Sequence, residues 1–259
     1  MKVVVAGEIP LLWDIGRLCA GAGHDTHVYV AEDFYGALES GLIMHEAANA
    51  DVAIELHNES VDAKQELLLG LAQVLPVEAL VLSSALSASA TEAAAWIANP
   101  QRLVGFGLLP PLTTPGMVEV ATGLQTSEQY LQKANDFWLN LEMRPVQVGD
   151  GPGLVRARTV CCLINEAASA LMEGVASAED IDQAMRLGTN YPYGPLEWAD
   201  IIGVDAVLGV MNGLFREWGE DRYRPSPLLK RMVLAGRLGK KSGRGFYSYA
   251  DTGDVPRAL

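Results

Sequence analysis

Short apolar runs alternate with helical spacing along the first half of the chain. KVVVAG (residues 2–7) has the near-continuous apolar character of a strand buried on both faces, and Leu11–Ala20 follows with apolar residues at helical intervals. THVYVA, DVAIEL, ALVLSS and RLVGFG read as four further strands, and Met117–Ala121 and Pro145–Val148 complete the set. Amphipathic helices are expected over Val61–Leu75, Thr91–Ile97 and Glu128–Leu141. Strand–helix alternation of this kind predicts an α/β fold with a doubly wound, parallel-rich Rossmann-like sheet.

After GDGPG (Gly149–Gly153) the pattern changes, and from Leu154 onward only helical periodicity remains. Ser177 is placed as the N-cap of one helix, with Glu179 and Asp180 in its first turn. YPYGP and RYRPSP punctuate the rest, and the glycine-rich GRLGKKSGRG closes the region. The expected organisation is an α/β domain over residues 1–150 and an all-α domain over 151–259, with the boundary near Asp150.

Charge narrows the range of partners. The net charge is -13, and the first 150 residues carry all of it, with 6 Lys and Arg against 19 Asp and Glu; the remainder is balanced at 13 of each. Nucleic acid is not an expected partner, because phosphate contacts need clustered cations. No apolar run reaches the ~18–20 residues that span a bilayer, and the apolar start of the chain is too short for a signal peptide. Three cysteines (Cys19, Cys161, Cys162) and four scattered histidines without evident partners give neither a disulfide framework nor a metal site. A soluble cytoplasmic protein is expected.

Two long stretches carry a specific resemblance. EGVASAEDIDQAMRLGTNYPYGPLEWADIIGVD and RYRPSPLLKRMVLAGRLGKKSGRGFYSY, together with LINEA (Leu163–Ala167), resemble the helical domain of the 3-hydroxyacyl-CoA dehydrogenase family across Gly149–Tyr249. KVVVAG, IELHNESVDAKQELL and LVGFGLLPP follow the order of that family's N-terminal domain more faintly. The resemblance implies NAD as cofactor, a 3-hydroxyacyl-CoA substrate, and a homodimer formed through the C-terminal helices.

The residues that would carry this chemistry are mostly replaced. The family's catalytic strand resembles GFHFFNP; laid on Gly105–Pro111, its histidine base falls on Gly107 and its asparagine on Pro110. The glutamate that orients the base falls on Glu119, which is retained. A serine position falls on Leu86, beside Ser87, and a second asparagine on Ala157. The phosphate loop keeps only Gly7: Ile9 adds a side chain, Pro10 lacks an N–H, and Glu8 adds negative charge. The ribose-binding acid position falls on Val30, and Glu59 and Lys64 match positions on the nicotinamide side, where they also read as an exposed pair at a helix start. The long basic helical hairpin that holds CoA in the family is reduced to Ala31–Ala50, without a Lys or Arg.

Three functions remain open on these residues. One is a binding or regulatory dimer that has lost its dehydrogenase activity, self-paired or paired with an active relative. The second is a working NAD-dependent oxidoreductase on an atypical 3-hydroxyacyl substrate, with Glu119 as base. The third is a small-ligand binder whose cleft is now apolar around Leu86, Gly107, Leu108 and Pro110.

Overall fold

The strands expected from the apolar runs assemble into one seven-stranded sheet of order β2-β1-β3-β4-β5-β6-β7. A computed structural model describes residues 1–249. The strands are β1 (Lys2–Gly7), β2 (Asp25–Val30), β3 (Val52–Leu56), β4 (Leu80–Ser84), β5 (Leu103–Gly107), β6 (Gly116–Ala121) and β7 (Met143–Gln147). Neighbours run parallel except β5 and β6, which pair antiparallel. The order reverses at β1, whose chain first goes outward to β2 and then returns to lay β3 on its other side. Ligands of such sheets bind at the carboxyl ends of the strands beside that reversal.

Side chains that alternate along β1 separate two cores. Val3 and Val5 face α1 (Leu11–Gly21) and α6 (Glu128–Asn140), in a cluster with Leu12, Ile15, Phe106 and Trp138. Val4 and Ala6 face the other way, packing with Phe34 of α2 (Ala31–Glu39), Leu67 and Leu71 of α4 (Val61–Val74) and Ala94 of α5 (Ala90–Trp96). The edges are the polar strands: β2 has no fully buried residue, and β7 carries Pro145, which an edge tolerates because no N–H is needed there. The Ala31–Ala50 link, which stands where the family's long helical hairpin is expected, folds as two short helices, α2 and α3 (Leu42–Ala47). Phe34 and Ile43 give each helix a buried anchor, which is why so short a segment takes helical form.

The chain divides into two compact units, Met1–Ala157 and Arg158–Leu259. The GDGPG stretch belongs to the first: Asp150 accepts hydrogen bonds from Ala90 N (2.7 Å) and Thr91 N (2.9 Å), and Gly153 N donates to Ala85 O (2.9 Å). Those bonds carry the first unit beyond Asp150, into the opening turn of α7 (Arg156–Met172).

The second unit continues α7 and adds α8 (Ala178–Thr189), α9 (Pro195–Ile202), α10 (Val204–Trp218) and α11 (Pro227–Leu234). Buried polar side chains fix its turns. Asn165, from the LINEA stretch, donates to Arg224 O (3.1 Å) and accepts from Ser226 N (2.7 Å), pinning the RYRPSP turn. Asp182 accepts from Leu196 N and Glu197 N, both at 2.8 Å, at the start of α9, and from the Tyr247 hydroxyl. Asp200 accepts from Phe246 N (2.9 Å), Tyr247 N (2.9 Å) and the Tyr249 hydroxyl (3.0 Å). Burial pushes the Asp200 carboxyl above the usual range, while the Tyr247 and Phe246 N–H groups and the Tyr249 hydroxyl hold it down. The GRGFYSY segment is therefore strapped to the unit by two carboxylates. Asp200→Asn puts an amide N–H₂ against donors, and we expect it to cost about 1–3 kcal/mol, read as a lowered urea midpoint with an unchanged slope.

Candidate functional site

Two strand ends carry the candidate chemistry: the β5–β6 pair and the β1–β3 crevice. In the antiparallel register of β5 and β6, Gly107 lies directly opposite Glu119. A Cβ added at Gly107 would come 3.2 Å from Glu119 Oε2 and 2.9 Å from Leu154 Cδ1. A side chain at position 107 would therefore address the Glu119 carboxylate, as the resemblance requires of a base and its orienting group. The Leu154 methyl fills that space instead.

Glu119 has a partner of a different kind. It is 3% exposed, and Arg156 N, at the first residue of α7, donates to its two oxygens at 3.0 and 3.2 Å. Carboxylates are favoured at such a helix start, where N–H groups lack intrahelical acceptors. Burial pushes the Glu119 carboxyl above its usual range, and the Arg156 and Val155 N–H groups pull the other way. The other positions where the family resemblance expects polar groups, Leu86, Pro110 and Ala157, are all buried, and Leu108 packs with Phe106, Val118 and Val120 in the core on the other face of the sheet. Ala85, Ala121 and Leu154 form a small apolar cluster, with Val148 packed against it. The structure thus brings Gly107 and Glu119 together, with the Leu154 side chain of that apolar cluster against them.

The β1–β3 crevice is built differently. Gly7 (φ 152°) ends β1 directly beside Leu56 of β3, and an added Cβ would lie 2.6 Å from Leu56 Cβ. That strand contact alone demands glycine here, with no cofactor needed to explain it. Because Gly7 and Leu56 are in register, the residues that follow them are neighbours across the strand ends. Glu8 reaches over to the start of the β3–α4 loop, accepting from Asn58 N (3.0 Å) and Glu59 N (3.3 Å), and its Oε1 lies 2.8 Å from His57 Nδ1. Burial disfavours the His57 imidazolium, but the Glu8 carboxylate and then Glu55 outweigh it, and the His57 pKa is raised. Beyond the turn, Ile9 is 38% exposed, and α1 starts at Leu11 after Pro10, with no side-chain cap.

Behind His57 lies a wholly buried network. Lys64 Nζ stands 2.5 Å from Glu55 Oε2 and donates to His57 O (3.1 Å). Glu55 also accepts from the Ser83 hydroxyl (2.7 Å) and from His57 N (2.5 Å). The expected exposed pair of Glu59 and Lys64 is corrected here. Lys64 has no exposed surface and is held by Glu55, one strand over from the helix that carries it, whereas Glu59 is exposed. Its position in the first turn of α4 points it inward, onto β3, because the helix packs that face against the sheet.

His57 and Glu8 escaped recognition as a pair because they are separated by most of the βαβ unit. Only the register of β1 on β3 joins them, and the legible signal was that each directly follows a strand of the same reversal. His27 gains one neighbour from afar, Glu46, and one from its own strand, Asp25, each at 3.4 Å. A cavity of about 640 Å³ opens at the amino ends of β1, β3 and β4, between Asp51, Glu78 and Lys133, away from the carboxyl ends where ligands of such sheets bind. Among the described residues, no three His, Cys, Asp or Glu side chains gather as a metal-binding group, and no single helix is long and apolar enough to cross a membrane.

Comparison with known proteins matches both units. The model of the 3-hydroxyacyl-CoA dehydrogenase NAD binding domain matches residues 22–151, starting beyond β1 and α1, and that of the C-terminal domain matches residues 153–249. The chain is 41% identical over 208 residues to the probable 3-hydroxybutyryl-CoA dehydrogenase of Bacillus subtilis, covering 80% of this chain and 72% of that one. It is 37% identical over 213 residues to the 3-hydroxybutyryl-CoA dehydrogenase of Bradyrhizobium diazoefficiens, covering 82% and 73%. Among solved structures, (S)-3-hydroxybutyryl-CoA dehydrogenase PaaH1 from Ralstonia eutropha superposes with a TM-score of 0.74 at 30% identity, over 96% of this chain and 99% of that one.

Proposed function

The chain belongs to the 3-hydroxyacyl-CoA dehydrogenase family, and from that premise we propose that it is a member without dehydrogenase activity, kept as a binding or regulatory subunit. One observation carries the reading: the position facing Glu119 is a glycine, and Leu154 occupies the space a base would need. General-base catalysis is worth about 10²–10⁴-fold, and Leu86, Pro110 and Ala157, where the family resemblance expects polar groups, offer no polar side chain to position a substrate.

The turn after β1 does not fit a dinucleotide. A pyrophosphate needs N–H donors at a helix start and no side chain in its path. Here the Glu8 carboxylate lies across the strand ends, Ile9 brings a side chain, and Pro10 has no N–H. We therefore route no hydride transfer through this crevice. The role we assign is subunit pairing, as a homodimer or with an active relative. Val175, Leu187 and Leu234 of the helical unit support it, each an apolar side chain more than two-thirds exposed.

Calorimetric titration with NADH at low salt tests the reading. We expect no saturable heat up to about 1 mM, the upper end of ordinary enzyme KM values. A micromolar Kd overturns it.

A further inference from the structure

Glu8 stands in a position that invites a second question: what does its carboxylate do there? Two backbone N–H groups, from Asn58 and Glu59, converge on it at 3.0 and 3.3 Å, and the His57 imidazole closes on it at 2.8 Å. Successive backbone N–H groups turned toward one point, with an imidazole beside them, form the ordinary protein seat for an anion. It lies at the carboxyl ends of β1 and β3, where the strand order reverses and where ligands of this architecture enter.

We infer that Glu8 is the resident anion of this crevice, an internal carboxylate seated where a ligand's phosphate or carboxylate would otherwise bind, so that the crevice is closed from within. The inference rests on the reading that the chain does not use a dinucleotide, and it adds the cause. Pro10 removes one donor from the β1 turn and Ile9 adds a side chain, and Glu8 also occupies the Asn58 and Glu59 N–H groups of the facing loop. It is mostly buried, with 15% of its side chain exposed, and His57 is held from behind by the Glu55–Lys64 network. The seat is therefore rigid on the loop side and is completed by one side chain from the β1 turn. Removing that side chain leaves the loop N–H groups and His57 in place and unmasks an anion site.

The test compares wild type with Glu8→Ala, titrated with inorganic pyrophosphate and with adenosine diphosphate, by calorimetry and by ligand-induced rise in Tm. The expected result is an affinity for inorganic pyrophosphate at least about tenfold tighter in E8A than in wild type, equivalent to about 1.4 kcal/mol. Equal affinity in the two proteins overturns the inference, as does a folded E8A that gains none. Tighter binding of adenosine diphosphate than of pyrophosphate by E8A identifies a nucleotide as the excluded ligand; equal binding identifies a simple anion seat. Both support the inference.

Glu8→Gln keeps the volume and removes the charge, so it serves should E8A fold poorly. The groups facing His57 are Glu8 from the β1 turn, Glu55 from β3 and Lys64 from α4. Because the folded His57 value is raised, the stability it draws from Glu8 is fully present below the unfolded value of about 6.5 and is lost as pH rises through the folded value. The wild-type advantage over E8Q should thus be largest at acidic pH and shrink on the alkaline side, and the His57 NMR titration midpoint should fall in E8Q. An unmoved midpoint overturns the inference.

The two readings fail separately. A wild-type chain that binds NADH, with an E8A variant that gains no pyrophosphate affinity, overturns both. A wild-type chain silent to NADH whose E8A variant gains nothing overturns only this one.

Discussion

Replacing Lys64 with Met is expected to destabilise the first unit by about 3–5 kcal/mol, the usual cost of removing one partner from a buried ion pair. Lys64 and Glu55 are both without exposed surface, and their atoms meet at 2.5 Å. Without the ammonium, the Glu55 carboxylate stays buried with only the Ser83 hydroxyl and His57 N as donors, and the His57 carbonyl loses the Nζ it accepts from. Simple loss of packing would not explain so large an effect, since Met keeps most of the lysine stem. The double variant E55Q/K64M separates the causes. Neutralising Glu55 removes the uncompensated charge, so the double variant should recover a substantial part of the loss. The measurement is the urea midpoint of each single and double variant, analysed as a cycle. A K64M effect within about 0.5 kcal/mol of zero, the range of ordinary surface substitutions, would mean that the pair is solvated and that the seat behind His57 is not rigid.

The strand–helix order was legible because buried parallel strands announce themselves as apolar runs. KVVVAG and DVAIEL could hardly be anything else once helices flank them. The dyad positions were legible too, since Gly107 and Glu119 fall on facing strands of one antiparallel pair. Leu154 was not, because its approach to Gly107 depends on where the chain returns after β7, a tertiary fact with no local pattern. Lys64 misled for a related reason. A lysine near a helix start reads as solvated, and only the carboxylate on the adjacent strand makes its burial tolerable. Glu8 stood in the sequence as a charge that repels an anion. The fold shows it to be bonded to the donors an anion would use. Electrostatic sign was readable from the chain; the partner was not.

On the proposed reading, in which the base and the groups that position the substrate are both replaced, the chain should reduce acetoacetyl-CoA with NADH at a rate at least about 10⁴-fold below ordinary dehydrogenase turnover. Two substitutions sharpen that expectation. If Glu119 were the base, E119Q would lower any residual rate by about 10²-fold or more. Glu119 instead caps α7 through Arg156 N, buried against Leu154, so E119Q should leave the residual rate unchanged. Gly107→His with Leu154→Ala supplies an imidazole beside Glu119 and clears the methyl that stands 2.9 Å from the new Cβ. On the proposed reading it should still give no measurable turnover, because there the base and the cofactor crevice are separate lesions and repairing one leaves the other. Recovery of activity in G107H/L154A would show that NADH enters despite Glu8, and would remove the cofactor crevice from the account while leaving the missing base in it. Silence in that variant, with recovery only when Glu8→Ala is added, would place the block at both strand ends.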